Sequence, residues 1–357
     1  MRTLIRPTGF VDSPFGHDGK VARLAGGMNW FGLAELIKID GIKRTSTEIV
    51  PVEGIEDRFD ELMAADWGRI IAPRPPLAMG ERTVRLDQPQ VMGIINATPD
   101  SFSDGGSYAD AAAAAEAGAN MAAQGAAVID VGGESTRPGS TTVWENDEIK
   151  RVVPVIEQLT TGGNAVSIDS RKSAVMSAAL KAGARLVNDV SALTWDEQSA
   201  GVAAAAGVPV VLMHHQGDPQ TMQKDPRYDD VLVEVYRWLE ARIEAAEMAG
   251  IARDKILVDP GIGFGKSVAH NLELINGLAL LHGFGCPIVF GASRKRMIGA
   301  LSNEAPADRR LSGSLALALK AVEQGAQLIR VHDVPETVQA LKLWRGLRDA
   351  ALTPRTA

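Results

Sequence analysis

The sequence predicts an α/β protein, a (β/α)8 TIM barrel preceded by an N-terminal extension. From residue 91 onward, eight short apolar runs alternate with Ala-rich helical segments. Glycine follows several of these segments, at the position where it commonly ends a helix. Polar residues follow every run. Eight strand–helix units are the content of a closed barrel, although an open doubly wound sheet is built from the same units.

Size and composition agree with this class and exclude others. The chain has 357 residues, of which 45% are hydrophobic, enough for a barrel with an extension. Its formal charge of −7 argues against general binding to nucleic acid, which requires a basic surface. Cys286 is the single cysteine, so an internal disulfide is impossible and we expect a cytoplasmic location. The longest apolar stretch, Val202–Met213, is shorter than the roughly 18 residues of a membrane span, so no membrane partner is expected.

Residues 1–85 form the predicted extension. No motif in this segment indicates a role for it. Two segments, Trp30–Ile39 and Ile55–Trp67, are compatible with helices. The proline-rich segment Pro73–Pro76 indicates a linker or boundary. Thr83–Leu86 is a candidate short strand before the main domain, which we place at residues 86–350.

The eight runs are apolar and rich in β-branched residues, as expected for strands that are covered on both faces. They are Val91–Ala97, Ala127–Val131, Ala165–Asp169, Leu186–Val190, Pro209–Met213, Ile256–Asp259, Ile288–Phe290 and Leu328–Val331.

The polar residues after the runs are the candidate site, because the carboxyl ends of barrel strands meet at one mouth. One Asp or Asn after a strand is more often a turn or cap residue. A complete ring of polar groups, however, is costly to bury without a ligand or a mutual network. Donors suited to phosphate oxygens are Thr136, Arg137, Lys295, Arg330 and His332. Groups suited to a flat nitrogen heterocycle are Asp169, Asn188 and Asp259. The mouth therefore predicts a heterocyclic ligand that carries phosphate.

Two other patterns do not complete a known motif. Gly265-Lys266-Ser267 resembles the end of a phosphate-binding P-loop, but Pro260 stands where the first glycine is required. The glycines at 261, 263 and 265 lack the spacing of a dinucleotide site, so we interpret them as a turn. Phe264 in this turn either stacks on a ligand ring or packs on the next helix.

His214-His215 raises the alternative of a metal-dependent hydrolase. Such barrels require several histidines on converging strands, and only six occur in the chain. We therefore interpret the pair as pocket or core histidines.

Four segments resemble the signatures of dihydropteroate synthases. They are Met92–Gly106 (MGIINATPDSFSDGG), Asp130–Gly139 (DVGGESTRPG), Ser293–Lys295 (SRK) and Arg330–Asp333 (RVHD). The resemblance covers about residues 88–345, with the segments in the family's order. It implies an enzyme that joins 6-hydroxymethyl-7,8-dihydropterin diphosphate to para-aminobenzoate and releases pyrophosphate. It also implies a homodimer.

The resemblance carries roles to individual residues. Asn96 would bind Mg²⁺, and Thr136, Arg330 and His332 would bind the diphosphate. The pterin would be held by Asp169, Asn188, Asp259 and Lys295. The para-aminobenzoate site would be lined by Arg137, Pro138, Phe264 and Ser293. Asp169, Lys295, Arg330 and His332 would take part in catalysis. Loops 98–107 and 134–141 would close over the substrates and exclude water.

Three positions depart from the family pattern: Ala97, Ser170-Arg171 and His215. The last two place the edge of the pterin pocket in question. Two alternatives remain, a pterin-binding methyltransferase barrel and a non-catalytic pterin-binding homologue. The Ser293–Lys295 and Arg330–Asp333 segments, which suit a diphosphate, argue against both. Sensitivity to sulfonamides, which mimic para-aminobenzoate, is expected.

Overall fold

The computed structural model describes residues 1–97, 108–135, 142–217, 222 and 225–353. Within these residues, eight parallel strands form one sheet that closes into a barrel. The strands are β7 (Gln90–Asn96), β8 (Val128–Gly132), β9 (Val166–Asp169), β10 (Leu186–Asp189), β11 (Val210–Met213), β12 (Ile256–Asp259), β13 (Val289–Phe290) and β14 (Leu328–Val331). Each pairs with its neighbours in chain order, β14 pairs with β7, and a bridge between Val258 and Ile288 joins β12 to the segment before β13.

The eight predicted runs match these strands to within one residue at each end, and the barrel is confirmed over the open sheet. The predicted ends differ because the first residue of several runs precedes the paired segment, as Pro209 does before β11.

Helices surround the strands. They are α2 (Tyr108–Ala123), α3 (Glu145–Thr161), α4 (Ser173–Lys181), α5 (Ser199–Ala206), α6 (Val231–Met248), α7 (Val268–Asn276), α8 (Arg296–Leu301), α9 (Leu311–Glu323) and α10 (Val334–Leu352), with 3₁₀ turns at Arg253–Lys255, Leu278–Phe284 and Ala307–Arg309. The main core lies between these helices and the strands. No helix in the described ranges combines the length and the apolar character needed to cross a membrane.

The N-terminal extension is mostly β-structure. Its four strands are β1 (Arg2–Val11), β2 (Ala22–Arg23), β3 (Trp30–Asp40) and β4 (Lys43–Pro51). The other three strands each pair with β3 in the antiparallel direction. The prediction of a helix at Trp30–Ile39 was wrong. The segment is the central strand of this sheet, because Gly41-Ile42 turns the chain into β4 and strands on both sides satisfy its backbone.

The second predicted helix, Ile55–Trp67, is only partly correct. Ile55–Arg58 is a 3₁₀ turn, and a separate helix, α1 (Glu61–Ile71), begins after Asp60. The Asp60 carboxylate accepts a hydrogen bond from the Met63 N–H at 2.8 Å, which caps α1 and restarts the helix there. The proline-rich segment that follows is packed rather than free, because the buried Arg74 guanidinium donates to the carbonyl oxygens of Arg69 and Ala72.

A short hairpin, β5 (Leu77–Met79) and β6 (Arg82–Val84), replaces the single strand expected at Thr83–Leu86. Its apolar side chains join a small core with residues from the beginnings of the barrel strands, among them Met92, Val128 and Leu186. The hairpin therefore seals the amino-terminal end of the barrel and leaves the opposite end for ligands.

Candidate active site at the barrel mouth

The side chains that point into the barrel change from apolar to polar along each strand. Side chains two residues apart share a face of a strand, so Val128 and Asp130 both point inward from β8. The same step leads from Leu186 to Asn188, from Leu257 to Asp259 and from Leu328 to Arg330. An apolar layer thus closes the barrel below, and a polar layer lies directly above it at the carboxyl ends of the strands.

Arg330 connects two carboxylates in this layer. Its Nε donates to Asp130 Oδ2 and its Nη2 donates to Asp169 Oδ2, each at 2.7 Å. Asn188 Nδ2 donates to the same Asp130 oxygen at 3.0 Å. Strands β8, β9, β10 and β14 are therefore joined by one hydrogen-bonded group. Such charge-assisted bonds hold a side chain in a fixed orientation.

Space for this group depends on glycines. A Cβ at Gly132 would lie 3.4 Å from Asp169 Cβ, and one at Gly291 would lie 3.8 Å from both Arg330 Cβ and Asp259 Oδ2. Larger side chains at these inward positions would compete with the ligand and with Arg330.

Burial shapes the ionisation of the acidic groups. It raises the pKa of Asp169, an effect that the positive charge of Arg330 opposes and the negative charge of Asp130 reinforces. Burial likewise raises the pKa of Asp259, although the Gly261 N–H, which donates to Asp259 Oδ1 at 2.7 Å, favours the charged form. Burial disfavours the Arg330 cation, but the two carboxylates outweigh it and raise its pKa. Asp169 Oδ1 is buried without a hydrogen-bond partner among the described residues, which marks it as an acceptor for a ligand.

The loops after β13 and β14 are tied together. Ser293 Oγ and His332 Nδ1 lie 3.1 Å apart, and the His332 N–H donates to Ser293 Oγ at 3.2 Å. The next pair of residues repeats this connection, because Arg294 Nε donates to Asp333 Oδ2 at 3.0 Å and its Nη2 bonds Oδ1. Arg294 has a φ of 57°, an unfavourable angle for a residue with a side chain, and the two hydrogen bonds to Asp333 help to hold it there.

Lys295 and Phe264 meet on the adjacent side of the mouth. The Lys295 Nζ lies 4.1 Å from the centre of the Phe264 ring, a cation–π contact. Phe264 thus faces the site rather than packing only on the helix that follows it, one of the two orientations left open by the sequence.

The comparison with known proteins agrees with this geometry. The family model described as pterin binding enzyme matches residues 92–332. Dihydropteroate synthase of Escherichia coli strain K12 is 48% identical over 259 residues, which cover 72% of this chain and 91% of that protein. The chain belongs to the dihydropteroate synthase family.

Solved structures support the same relationship. Xanthomonas albilineans dihydropteroate synthase with 4-aminobenzoic acid has a TM-score of 0.73 and 47% identity, and covers 77% of this chain and 98% of its own. Yersinia pestis dihydropteroate synthase in a sulfonamide drug complex has a TM-score of 0.73 and 46% identity, and covers 77% and 100%. About a quarter of this chain thus has no counterpart in them, a share that fits residues 1–85, which lie outside the family match.

The structure brings together most of the residues predicted from the sequence. Asp169, Asn188, Asp259, Ser293, Lys295, Arg330 and His332 lie on the ends of neighbouring strands or in the loops after them. Phe264 joins them from the loop after β12, and Asn96 ends β7. Thr136, Arg137 and Pro138 lie outside the described residues, as do most of loops 98–107 and 134–141.

Two of the three departures from the family pattern have structural partners. Arg171 stacks over the Trp195 ring at 3.6 Å and donates to Glu134 Oε2 at 3.3 Å. His215 contacts the Trp238 ring edge-on, with the ring centres 5.8 Å apart. The Arg171 side chain is thus held by Trp195 and by Glu134, which lies in the segment after β8.

Asp130 and Lys266 are parts of the site that the sequence did not predict. Asp130 lies within the second family segment, and its signal is a charged residue in the middle of an apolar strand, two positions after an inward-facing valine. Lys266 belongs to the incomplete P-loop pattern, which gives no signal for a role in this site. It is 2% exposed, and its Nζ lies 2.8 Å from His214 Nδ1. His214 is therefore a buried histidine that hydrogen-bonds a lysine, which agrees with the interpretation of a hydrogen-bonded pocket histidine.

Proposed function

We propose that this chain condenses 6-hydroxymethyl-7,8-dihydropterin diphosphate with para-aminobenzoate to give 7,8-dihydropteroate and pyrophosphate. The observation that carries the proposal is the placement of Arg330 between Asp130 and Asp169, above the apolar layer and two residues before His332, in a member of this family. It combines acceptors for a pterin with donors for a diphosphate in one mouth.

The pterin is assigned to the deepest polar groups. Asn188 uses its Nδ2 to bond Asp130, which directs its Oδ1 acceptor elsewhere. The unpaired Asp169 Oδ1 and the carboxylate of Asp259 supply further acceptors for ring and amino N–H groups. Lys295, supported by the Phe264 ring, supplies a donor for the ring oxygen or nitrogen.

The diphosphate is assigned to Arg330 and His332, with Thr136 from the second loop. Two carboxylates fix Arg330 before the substrate arrives, so little reorganisation is needed as charge develops on the leaving group. These two carboxylates also offset the positive charge of Arg330, and Asp259 adds a third acidic group to the described part of the mouth. A bound diphosphate therefore needs more positive charge than Arg330 and Lys295 provide.

This charge balance supports a role for Mg²⁺ at Asn96. The side-chain oxygen of Asn96 suits this hard cation, which commonly takes only one or two protein ligands and completes its shell with substrate phosphates and water. The described residues contain no group of three or more His, Cys, Asp or Glu side chains that could hold a metal by themselves. When bound, Mg²⁺ would stabilise negative charge on the departing diphosphate.

In the reaction, the arylamine nitrogen of para-aminobenzoate forms a bond to the pterin methylene carbon. The bond from that carbon to the diphosphate oxygen breaks, and the diphosphate leaves with the electron pair. The nitrogen then loses a proton to solvent or to the diphosphate. A strong base is unnecessary, because a neutral arylamine is already nucleophilic. Phe264 and Ser293, with Arg137 and Pro138, would orient the ring, and Asp169 would favour the positive charge that develops on the pterin.

The test is pyrophosphate release from the pterin diphosphate with Mg²⁺, with and without para-aminobenzoate. We expect release that depends on para-aminobenzoate and yields dihydropteroate. Binding of the pterin without release under either condition would contradict the proposal and favour a binding homologue or a methyltransferase relative.

Inhibition, assembly and location complete the proposal. A sulfonamide should compete with para-aminobenzoate, since the Yersinia pestis relative is known in a sulfonamide complex. We further propose a homodimer and a cytoplasmic location. Turnover that is unaffected by excess sulfonamide would argue against the assigned para-aminobenzoate site.

A further inference from the structure

Lys266 joins the ends of two barrel strands. Its Nζ lies 2.8 Å from His214 Nδ1, just beyond β11. In the loop after β12, the same Nζ donates to the carbonyl oxygens of Gly261 at 2.9 Å and Phe264 at 3.0 Å. The protonated amine has three donors, so these three acceptors match its capacity. Because the histidine nitrogen must accept this bond, its remaining proton is placed on Nε2.

The loop held by Lys266 lies unusually close to the segment after β11. A Cβ on Gly261 would lie 1.8 Å from the His214 carbonyl oxygen, and a Cβ on Gly265 would lie 2.3 Å from that of Gln216. Both glycines have φ values near 65°, which other residues rarely adopt. Tyr228 adds a second attachment, since its hydroxyl donates to the Gly265 carbonyl at 2.9 Å.

Three features of the pterin site depend on the position of this loop. The Gly261 N–H donates to Asp259 Oδ1, which fixes one carboxylate oxygen and aims the other. Phe264 lies against the Lys295 ammonium. Gly263 leaves room for the stem of Lys295, whose Cδ would lie 3.4 Å from a Cβ at that position. A shift of the loop would therefore move Asp259, Phe264 and Lys295 together.

A lysine in this place is costly for stability. Its side chain is buried, and burial lowers the pKa of Lys266 to about 7, with Asp259 opposing and Lys295 reinforcing the effect. It has no carboxylate among the partners of its Nζ within the described residues. A neutral side chain of similar length would avoid the desolvation of a charge. Expensive buried groups of this kind occur preferentially at functional sites.

We infer that Lys266 is a positioning residue for the pterin pocket: its amine holds the loop of residues 261–265 against His214 and so sets the places of Asp259, Phe264 and Lys295. The inference rests on the proposed function, because it concerns the same pocket. Lys266 itself touches no reacting atom, and its effect passes through the loop.

The test compares Lys266→Met with Ser267→Ala. The methionine keeps the length of the side chain and removes its donors. The Ser267 hydroxyl accepts from the His270 N–H at 3.2 Å and caps α7, so its loss weakens the neighbouring helix without touching the pocket. The measurements are pterin diphosphate affinity by equilibrium binding, KM and kcat from pyrophosphate release, and Tm.

We expect Lys266→Met to weaken pterin affinity about tenfold or more, with KM for the pterin rising more than kcat falls. Ser267→Ala should lower Tm and leave pterin affinity within about twofold of wild type. If Lys266→Met does not fold, His214→Gln, which removes the ring acceptor and keeps the other two, should give a smaller change in the same direction.

Unchanged pterin affinity in the folded variants would overturn the inference, and so would a loss equal to that of Ser267→Ala. The wild-type protein separates this result from failure of the proposed function. An active wild type with unaffected variants refutes only the role of Lys266, whereas a wild type without turnover refutes the proposed function first.

Discussion

Replacing Asp130 with asparagine tests whether the carboxylate beneath Arg330 serves the reaction or only the fold. Asp130 is 0% exposed, and its Oδ2 accepts from both Arg330 and Asn188. An asparagine keeps the shape and can keep one of its atoms as an acceptor, but it removes the charge. Arg330 then retains Asp169 as its single charged partner in this group.

The expected size of the effect follows from the bonds that are weakened. A hydrogen bond to a charged group contributes about 1.5–3 kcal/mol. If that energy is what orients Arg330 toward the leaving group, kcat/KM should fall by about 10-fold to 150-fold, since roughly 1.4 kcal/mol corresponds to a factor of ten. The new amide also buries a donor, so Tm should fall by about 2–6 °C.

Asp66→Asn is the matched control. Asp66 is 1% exposed and, like Asp130, it contacts guanidinium groups, those of Arg2 and Arg69. It lies in α1, outside the barrel. Its replacement should lower Tm by a similar amount and leave kcat/KM unchanged. The assay is pyrophosphate release at a temperature where both variants remain folded. Equal activity in the two variants would refute the idea that Asp130 orients Arg330 for catalysis.

Three further predictions concern the loop, the pH and the metal. Gly261→Ala should raise KM for the pterin and lower Tm strongly, because its Cβ would meet the His214 carbonyl oxygen at 1.8 Å; Gly263→Ala, whose Cβ lies no closer than 3.4 Å to a neighbour, should show only the milder backbone strain. Burial raises the pKa of Asp169 above its ordinary value of 3.8, so the carboxylate, and with it pterin affinity, should be lost as the pH falls through this raised pKa; a titration of pterin binding checks this, and Asp169→Asn should bind weakly at every pH. Asn96→Ala should raise the Mg²⁺ concentration needed for half-maximal pyrophosphate release, and an unchanged requirement would show that Asn96 is not the ligand.

The barrel was predictable because its signals are local and repeat eight times. Each buried strand is short and apolar, and each is followed by polar residues at a mouth that the topology brings together. The extension was harder to predict. The apolar residues of Trp30–Asp40 fit a helix as well as a strand. The choice is decided by pairing with β1, which is distant in sequence, and with β4, which follows directly.

The candidate site was predictable where the family segments supply it, and incomplete elsewhere. Asp130 was not predicted because the candidate residues were taken from the ends of the apolar runs. Asp130 lies inside its run, and the alternation of inward and outward side chains along the strand is what places it in the site. Lys266 was missed because its partners are backbone carbonyls and a histidine ring from another strand, which no spacing in the sequence reveals.

The N-terminal sheet has a practical consequence for anyone who trims this protein to the length of its relatives. Leu4, Ile37 and Ile39 belong to the same apolar core as the barrel helices, and Arg2 lies over the ring of Tyr236 in α6. Arg44, which pairs with Ile39 across the sheet, donates to the Asp230 carboxylate at 2.6 Å, where Asp230 caps the start of α6. A chain that begins at residue 86 would expose the apolar surface that these residues cover. It would also lose the ion pair between Arg44 and Asp230 at the first turn of α6. Shortening guided by homologues would therefore yield aggregates, and the species to purify is the chain that keeps residues 1–85.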